Sequence, residues 1–352
     1  MKNLISVFIF LFAPPGYLQG KSKTTQINRL IPKISPAGGL SIIFSCLCFI
    51  CYPAKSQDQA DPLIPVLIVD GFSNHDWKQT TAMTKWILEQ SGKFDISVST
   101  IPQDSAGRHA WLPDFTKYKV VIQNTNNIHS PSLRWSREAE EALEMYVETG
   151  GGLYILHSAN NAFPHWKQYD EMIGLGWRKS EAGVALEIDP DQKLIRHLPG
   201  EGDGTGHGDR FNALVEILNR HPINNGYPEA WQTVNTEVYY FPRGAAKNLT
   251  VLSYAYDSAS TQQSWPLEWV VAYGKGRVYN SSLGHLWEGE TYPPAYRCIG
   301  YQTTVIRATE WLATGQVTYP IPSDFPSRDQ PSLNPENGYL KSVGDKNEIT
   351  GH

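Results

Sequence analysis

Hydrophobic and polar positions change period along the chain, and each change marks an element. Val66-Leu67-Ile68-Val69 is an unbroken apolar run, which predicts a strand covered on both faces. After a polar loop from Asp70 to Trp77, Met83, Trp86 and Ile87 fall at helical spacing, and Gly92 stops that helix. Ile96 and Val98 mark a second strand, and Lys119-Val120-Val121-Ile122 a third, opening into a polar loop from Asn124 to His129. The clearest helix follows. Ser136 is its N-cap, Glu138 sits in its positive first turn, and Ala139, Ala142, Leu143, Tyr146 and Val147 line one face. Gly150-Gly151-Gly152 ends it, and the buried strand Leu153-Tyr154-Ile155-Leu156 runs straight into His157. Strand and helix alternating in this order imply parallel pairing with right-handed crossovers, hence an α/β, doubly wound, mostly parallel sheet.

The second half reads as more mixed. Val184–Ile188, Leu214–Leu218, Val238–Phe241 and Val251–Tyr256 are short strand patterns. Trp269–Tyr273 and Arg277–Asn280 flank Gly274-Lys275-Gly276, which signals an added β-hairpin. A last helix is predicted from Tyr301 to Ala313, ending at Gly315. Residues 65–319 therefore form one domain, with 57–64 as a linker and 320–352 as a loosely held, Pro-, Ser-, Asp- and Asn-rich tail.

Upstream, the short apolar runs Leu4–Phe12 and Leu40–Cys51 are separated by Lys21, Lys23, Arg29 and Lys33, and Ala54-Lys55-Ser56 follows. A basic flank, a short apolar run and small residues two apart make residues 1–56 an upstream extension plus a secretory signal, cleaved after Ser56. The expectation is an exported protein, periplasmic or extracellular, with no stable membrane insertion after cleavage. A retained anchor is the alternative. Cys46, Cys48 and Cys51 leave with that segment, so only Cys298 remains and the domain holds no internal disulfide.

Composition narrows function only by exclusion. Thirty basic and 35 acidic side chains give a formal charge of −5, which argues against a nucleic-acid partner. Eleven Trp and 18 Tyr suit either a bulky core or platforms for sugar rings.

Candidate chemistry follows from the predicted topology. Ligands of an open α/β sheet bind beyond the carboxyl ends of its strands. There fall Asn74-His75-Asp76-Trp77, the loop after Ile122, and His157-Ser158-Ala159-Asn160-Asn161. His207 lies in a Gly-rich loop without the strand–loop–helix context of a phosphate loop, Glu237 sits beside a strand, and His285 directly follows another.

Together with Asn161-Ala162-Phe163-Pro164, Ile173-Gly174-Leu175-Gly176-Trp177, Gly206-His207-Gly208, His221-Pro222-Ile223, Gly274-Lys275-Gly276-Arg277-Val278 and Leu283-Gly284-His285, these segments resemble the ThuA-like (trehalose utilisation) family. The likeness covers roughly Val66 to Ala313. It implies a flavodoxin-like fold of the class I glutamine-amidotransferase type, and a role in carbohydrate metabolism on 3-keto-sugars made by a partner sugar dehydrogenase. Amidotransferases keep a nucleophilic Cys at the turn after this strand. Here the turn offers His157 and Ser158, so thiolate glutaminase chemistry is excluded.

The expected activity is therefore isomerase, lyase or hydrolase chemistry on a small-molecule keto-sugar. His157 and His285 would act as base and acid near neutral pH. His75, His207 or Asn160 would stabilise the enediolate, Glu237 would serve as base or hydroxyl acceptor, and Asn74, Asp76, Asn161 and Tyr239 would contact the sugar. Trp77, Trp166 and Trp177 would supply apolar faces for the pyranose. Three readings compete. One is a divalent metal, zinc or manganese, held by His75, His157, His207 and His285 with Asp76 or Glu237 in a glycoside-processing hydrolase. The others are a Ser158/His285 serine hydrolase and a non-catalytic carbohydrate-binding protein.

Overall fold

A computed structural model of the chain describes residues 62–291 and 293–335. The proposed signal segment lies outside these residues, as does the end of the tail. Element order is β1 (Ile64–Asp70), α1 (Trp77–Gln90), β2 (Phe94–Thr100), α2 (Ser105–Ala110), β3 (Val120–Gln123), α3 (Arg137–Glu148), β4 (Gly152–Leu156) and α4 (Lys167–Ile173). Then come β5 (Val184–Ile188), β6 (Leu194–His197), β7 (Gly206–His207), β8 (Leu214–Ile217), β9 (Ala230–Gln232), β10 (Tyr239–Tyr240), β11 (Arg243–Gly244), β12 (Leu249–Tyr256), β13 (Ser264–Tyr273), β14 (Gly276–Ser281), α5 (Pro294–Arg297) and α6 (Ile299–Thr314).

Twelve strands form one mixed sheet. Its first block, β2-β1-β3-β4-β14, is parallel throughout. From β14 onward, β13, β12, β8 and β9 add antiparallel. The Gly274-Lys275 turn does join an antiparallel pair, but β14 is no appendage: it is the parallel neighbour of β4. The sheet is thus more antiparallel than the sequence pattern suggests, because β14 takes part in both blocks.

The apolar runs are buried on alternate faces, as the period of a strand requires. Val66 and Ile68 of β1, Ile122 of β3 and Tyr154 of β4 pack with Met83 and Ile87 of α1 and with Val305 and Leu312 of α6. Leu67, Val69, Val121, Leu153 and Ile155 pack the other way, against Ala139, Leu143 and Val147 of α3 and Met172 of α4. Helix α3 starts where its cap predicts, with Ser136 Oγ accepting from the Ala139 amide at 3.1 Å. The glycines after α3 are there for close approach, since a β-carbon on Gly152 would come within 2.7 Å of the Leu312 backbone. Among the described residues no helix is long and apolar enough to cross a membrane.

The chain after Tyr319 does not swing free where it is described. Phe325 packs on Tyr227 and Trp231, the Gln232 amide donates to Ser327 O at 2.9 Å, and Leu333 bridges Cys298. The low-complexity composition signalled a loose tail, yet its scattered apolar residues meet apolar surface on the domain.

Candidate functional site

Three of the parallel strands end in histidine-bearing turns. His75 follows β1, His157 is the first residue after β4, and His285 follows β14. The three imidazoles meet edge to face with ring centroids 5.1 Å (His75–His157), 4.9 Å (His75–His285) and 5.1 Å (His157–His285) apart. One nitrogen from each lies within 4.8 Å of the other two. Glycine geometry sets the third turn: Gly284 has φ +94°, and a β-carbon there would meet the Tyr301 hydroxyl.

Hydrogen bonds fix which nitrogen each ring presents. His157 Nδ1–H donates to the Ser282 carbonyl at 2.7 Å, leaving Nε2 as acceptor, with the Tyr239 hydroxyl at 3.4 Å. His75 Nδ1–H donates to Asn74 Oδ1 at 3.0 Å; Asn126 Nδ2 donates to the same oxygen, and His75 Nε2 is buried without a partner. Trp287 stacks flat on His75 at 4.4 Å. His285 Nδ1 accepts from Arg210 at 3.2 Å, and Arg210 is also paired with Glu290. His285 Nε2 stands 3.1 Å from Glu237 Oε1, but out of hydrogen-bond alignment.

The rest of the site comes from the antiparallel excursion. His207 of β7 lies directly opposite Tyr239 of β10, which brings Glu237 beside both. Glu237 Oε1 is 3.5 Å from His207 Nε2, and His207 Nδ1–H donates to Gly208 O at 2.7 Å. Asn74, His75, Asn161, Trp177, His207, Glu237, Tyr239 and Trp287, with Ile128 and His129, enclose a pocket of about 160 Å³.

Electrostatics in this pocket follow burial. Loss of water pushes His157 down to about 4, against the pull of its Ser282 hydrogen bond, and His75 down to about 2, with His157 and His207 adding repulsion. His285 is lowered further by the same burial and by its two imidazole neighbours. Burial pushes the Glu237 carboxyl up to about 8, with Arg210 opposing and Glu290 reinforcing. Burial thus favours the uncharged form of all three clustered imidazoles, whereas the sequence predicts an acid–base pair near neutrality at His157 and His285.

Several predicted contacts fall elsewhere. Asp76 is the N-cap of α1, accepting from the Gln79 amide at 3.0 Å, and Trp77 begins that helix, its carbonyl bound by Asn124. Their loop position signalled a site, but helix initiation explains both. Trp166 is buried in an aromatic cluster with Trp135, Phe163 and Tyr169. Asn160 is fully buried and does not line the pocket, and its carbonyl accepts from Arg178. Ser158 Oγ pairs with Ser73 Oγ at 3.4 Å and not with His285, so no Ser–His dyad is assembled. Sequence reading missed Arg210, Trp287, Glu290 and His129. Trp287 two residues after His285 was a findable signal, whereas Arg210 carried none.

A parallel α/β block whose strand ends carry clustered histidines, one of them at the turn after β4, is consistent with the glutamine-amidotransferase-like superfamily. Within that class, the chain belongs to the ThuA family, described as trehalose utilisation, which it matches over residues 65–312. A ThuA-like protein from Parabacteroides merdae ATCC 43184 is 30% identical, with TM-score 0.72 over 78% of this chain and 98% of that one. A ThuA-like protein from Bacteroides uniformis ATCC 8492 is 16% identical over 74% of this chain and 98% of that one, with TM-score 0.48. No curated protein matches the sequence. The family ties the chain to a sugar-related role.

Proposed function

We propose that the chain is an exported carbohydrate-active enzyme that acts on a keto-sugar, in the manner of a 3-keto-glycoside lyase or isomerase. The observation that carries this reading is Glu237, a buried carboxyl 3.1 Å from His285 and 3.5 Å from His207, in a pocket walled by Trp177, Tyr239 and Trp287. Indole and phenol faces suit the apolar C–H face of a pyranose, while Asn74, Asn161 and the imidazoles suit its hydroxyls.

The chemistry is proton transfer next to a ketone. A site base, the ionised fraction of Glu237 that grows as pH rises towards about 8, takes the proton at C2, and the C–H electron pair becomes the double bond of an enediolate. The enediolate then either takes a new proton at C3 while its C2 hydroxyl gives up its own, leaving the ketone at C2 (isomerisation), or restores the C3 ketone, forms a C1=C2 double bond and expels the C1 substituent, whose oxygen takes up a proton to leave as an alcohol. His207 is placed to exchange protons with Glu237, and the Tyr239 hydroxyl to donate to the enediolate oxygen. A sugar dehydrogenase acting beforehand would supply the ketone.

Incubation with 3-keto-glucosides in deuterated water checks this by NMR. Deuterium at C2 of recovered substrate or at C3 of an isomerised product is expected, with turnover falling on the order of 10²–10⁴-fold in Glu237→Gln. Binding of the keto-sugar without exchange or turnover would make the protein a carbohydrate-binding module instead, and Glu237→Gln with full activity would remove Glu237 from the mechanism.

A further inference from the structure

We infer that His75, His157 and His285 form a binding site for a single first-row divalent cation of the zinc class, with a coordination position left open towards the pocket. This deepens the reading of the same pocket, on which it rests only for where substrate lies. The cation itself is detectable without any sugar.

Three independent features point to it. The first is convergence: turns after β1, β4 and β14 bring one nitrogen of each ring within 4.8 Å of the others. Bonds of about 2.0–2.1 Å to a tetrahedral ion place such nitrogens roughly 3.3 Å apart, so each needs to move inward by less than about 1 Å. Rotation of the imidazoles supplies that.

The second is orientation from behind. Ligating histidines characteristically donate their other ring N–H to a carbonyl or carboxylate, which fixes the tautomer and turns the lone pair to the metal. His157 does so to the Ser282 carbonyl and His75 to the Asn74 side-chain carbonyl, itself held by Asn126. Trp287, stacked on His75, restrains the ring further.

The third is unmet demand. His285 is 1% exposed and its Nε2 has no hydrogen bond; His75 Nε2 is likewise buried and unpartnered. Buried polar atoms without partners are rare in folded proteins, and here two of them face a third imidazole. One shared cation satisfies both, and takes the lone pair of His157 Nε2 in place of the Tyr239 hydroxyl.

Donor chemistry selects the ion. Three neutral nitrogens with no thiolate suit zinc, cobalt, nickel or iron(II) over the oxygen-seeking magnesium and calcium, and favour zinc over manganese. Cys298 is buried away from the cluster, against Gln232. Glu237, beside His285, stands where it either completes the coordination or takes a proton from a bound hydroxyl group. Coordination through His285 Nε2 places its proton on Nδ1, so Arg210 would give up its contact with His285 and keep Glu290.

The test uses the full chain carrying Cys46→Ser, Cys48→Ser and Cys51→Ser, which removes the remaining thiols able to compete. After stripping with EDTA and dialysis, zinc and cobalt(II) are titrated separately. One equivalent per chain is expected, with visible cobalt d–d bands of a nitrogen-rich site and a thermal midpoint that rises with zinc. His75→Ala, His157→Ala and His285→Ala should each abolish stoichiometric binding. Asn74→Ala leaves every ligand in place and should weaken zinc by about 10–100-fold, which covers the case in which a ligand variant does not fold. Failure of the stripped parent to take up either ion at equimolar micromolar concentration, or uptake unaltered by the His75 and Asn74 changes, overturns the inference. Zinc bound stoichiometrically without keto-sugar turnover would count against the proposed reaction alone.

Discussion

His157 is held at φ +43° immediately after the last residue of β4, a backbone region that a β-carbon disfavours. Related folds carry a nucleophile at this turn, and the same turn here sets an imidazole edge to face with His75 and His285, its Nε2 beside the Tyr239 hydroxyl. Its partner turn after β14 depends on Gly284, whose φ of +94° and proximity to the Tyr301 hydroxyl leave no room for a side chain. Gly284→Ala should therefore cost about 2 kcal/mol or more, read as a lower urea midpoint, because both the backbone and the ring must shift. Tyr301→Phe in the same background should restore part of that loss by removing the clashing oxygen. At this scale the sequence was informative about residue type and poor about neighbours. His75, His157, His207, Glu237 and His285 were all legible as candidates. That His285 would face Arg210 and Glu237 at once was not, since these positions lie on separate segments that only the fold brings together.

Strands β12, β13 and β14 are cross-linked by a buried carboxyl. Glu268 of β13 accepts from Ser253 Oγ of β12 at 2.6 Å and from the Tyr279 hydroxyl of β14. Burial raises its pKa above the ordinary 4.5, against the two hydrogen bonds that favour the charge. A carboxyl that binds its proton more tightly folded than unfolded contributes stability that is complete below the unfolded value and fades as pH rises through the folded one. Glu268→Gln does not titrate, so its stability relative to the parent should improve as pH climbs from 4.5 towards 8. Thermal midpoints measured across that range check the sign, and a constant difference would show that the Glu268 pKa is the same folded and unfolded. The strand pattern read from the sequence begins at Trp269, one residue after Glu268, whereas the strand itself starts at Ser264. The partners of Glu268 depend on the register that pairs Ser253 with Glu268 and Glu268 with Ser281.

For the whole molecule, the described part of the C-terminal segment is the clearest difference from composition. Ending the chain at Tyr319 rather than Pro335 would uncover Tyr227 and Trp231 and break the bonds to Gln232, Ile299 and Arg297. Losing a partly buried Phe and several backbone hydrogen bonds should lower stability by about 3 kcal/mol, whereas a loosely held tail would leave the urea midpoint unchanged. The parallel block was legible because β1, β3 and β4 are apolar on both faces and α3 carries its own start and stop signals. Those properties are local, and they place His75 and His157 at one sheet edge without further information. The antiparallel half was less so, because β7, β10 and β11 are two residues long and acquire strand character only from their partners. By itself, then, the sequence determined the α/β core, the family, and the set of histidines at the strand ends, all of which follow from hydrophobic period, caps and short motifs. Only the tertiary structure decided that His75, His157 and His285 bring their ring nitrogens within 4.8 Å of one another, while Asp76, Trp77 and Trp166 serve helix and core. Which nitrogen faces which, and how far burial shifts a proton, depend on atoms contributed from distant parts of the chain.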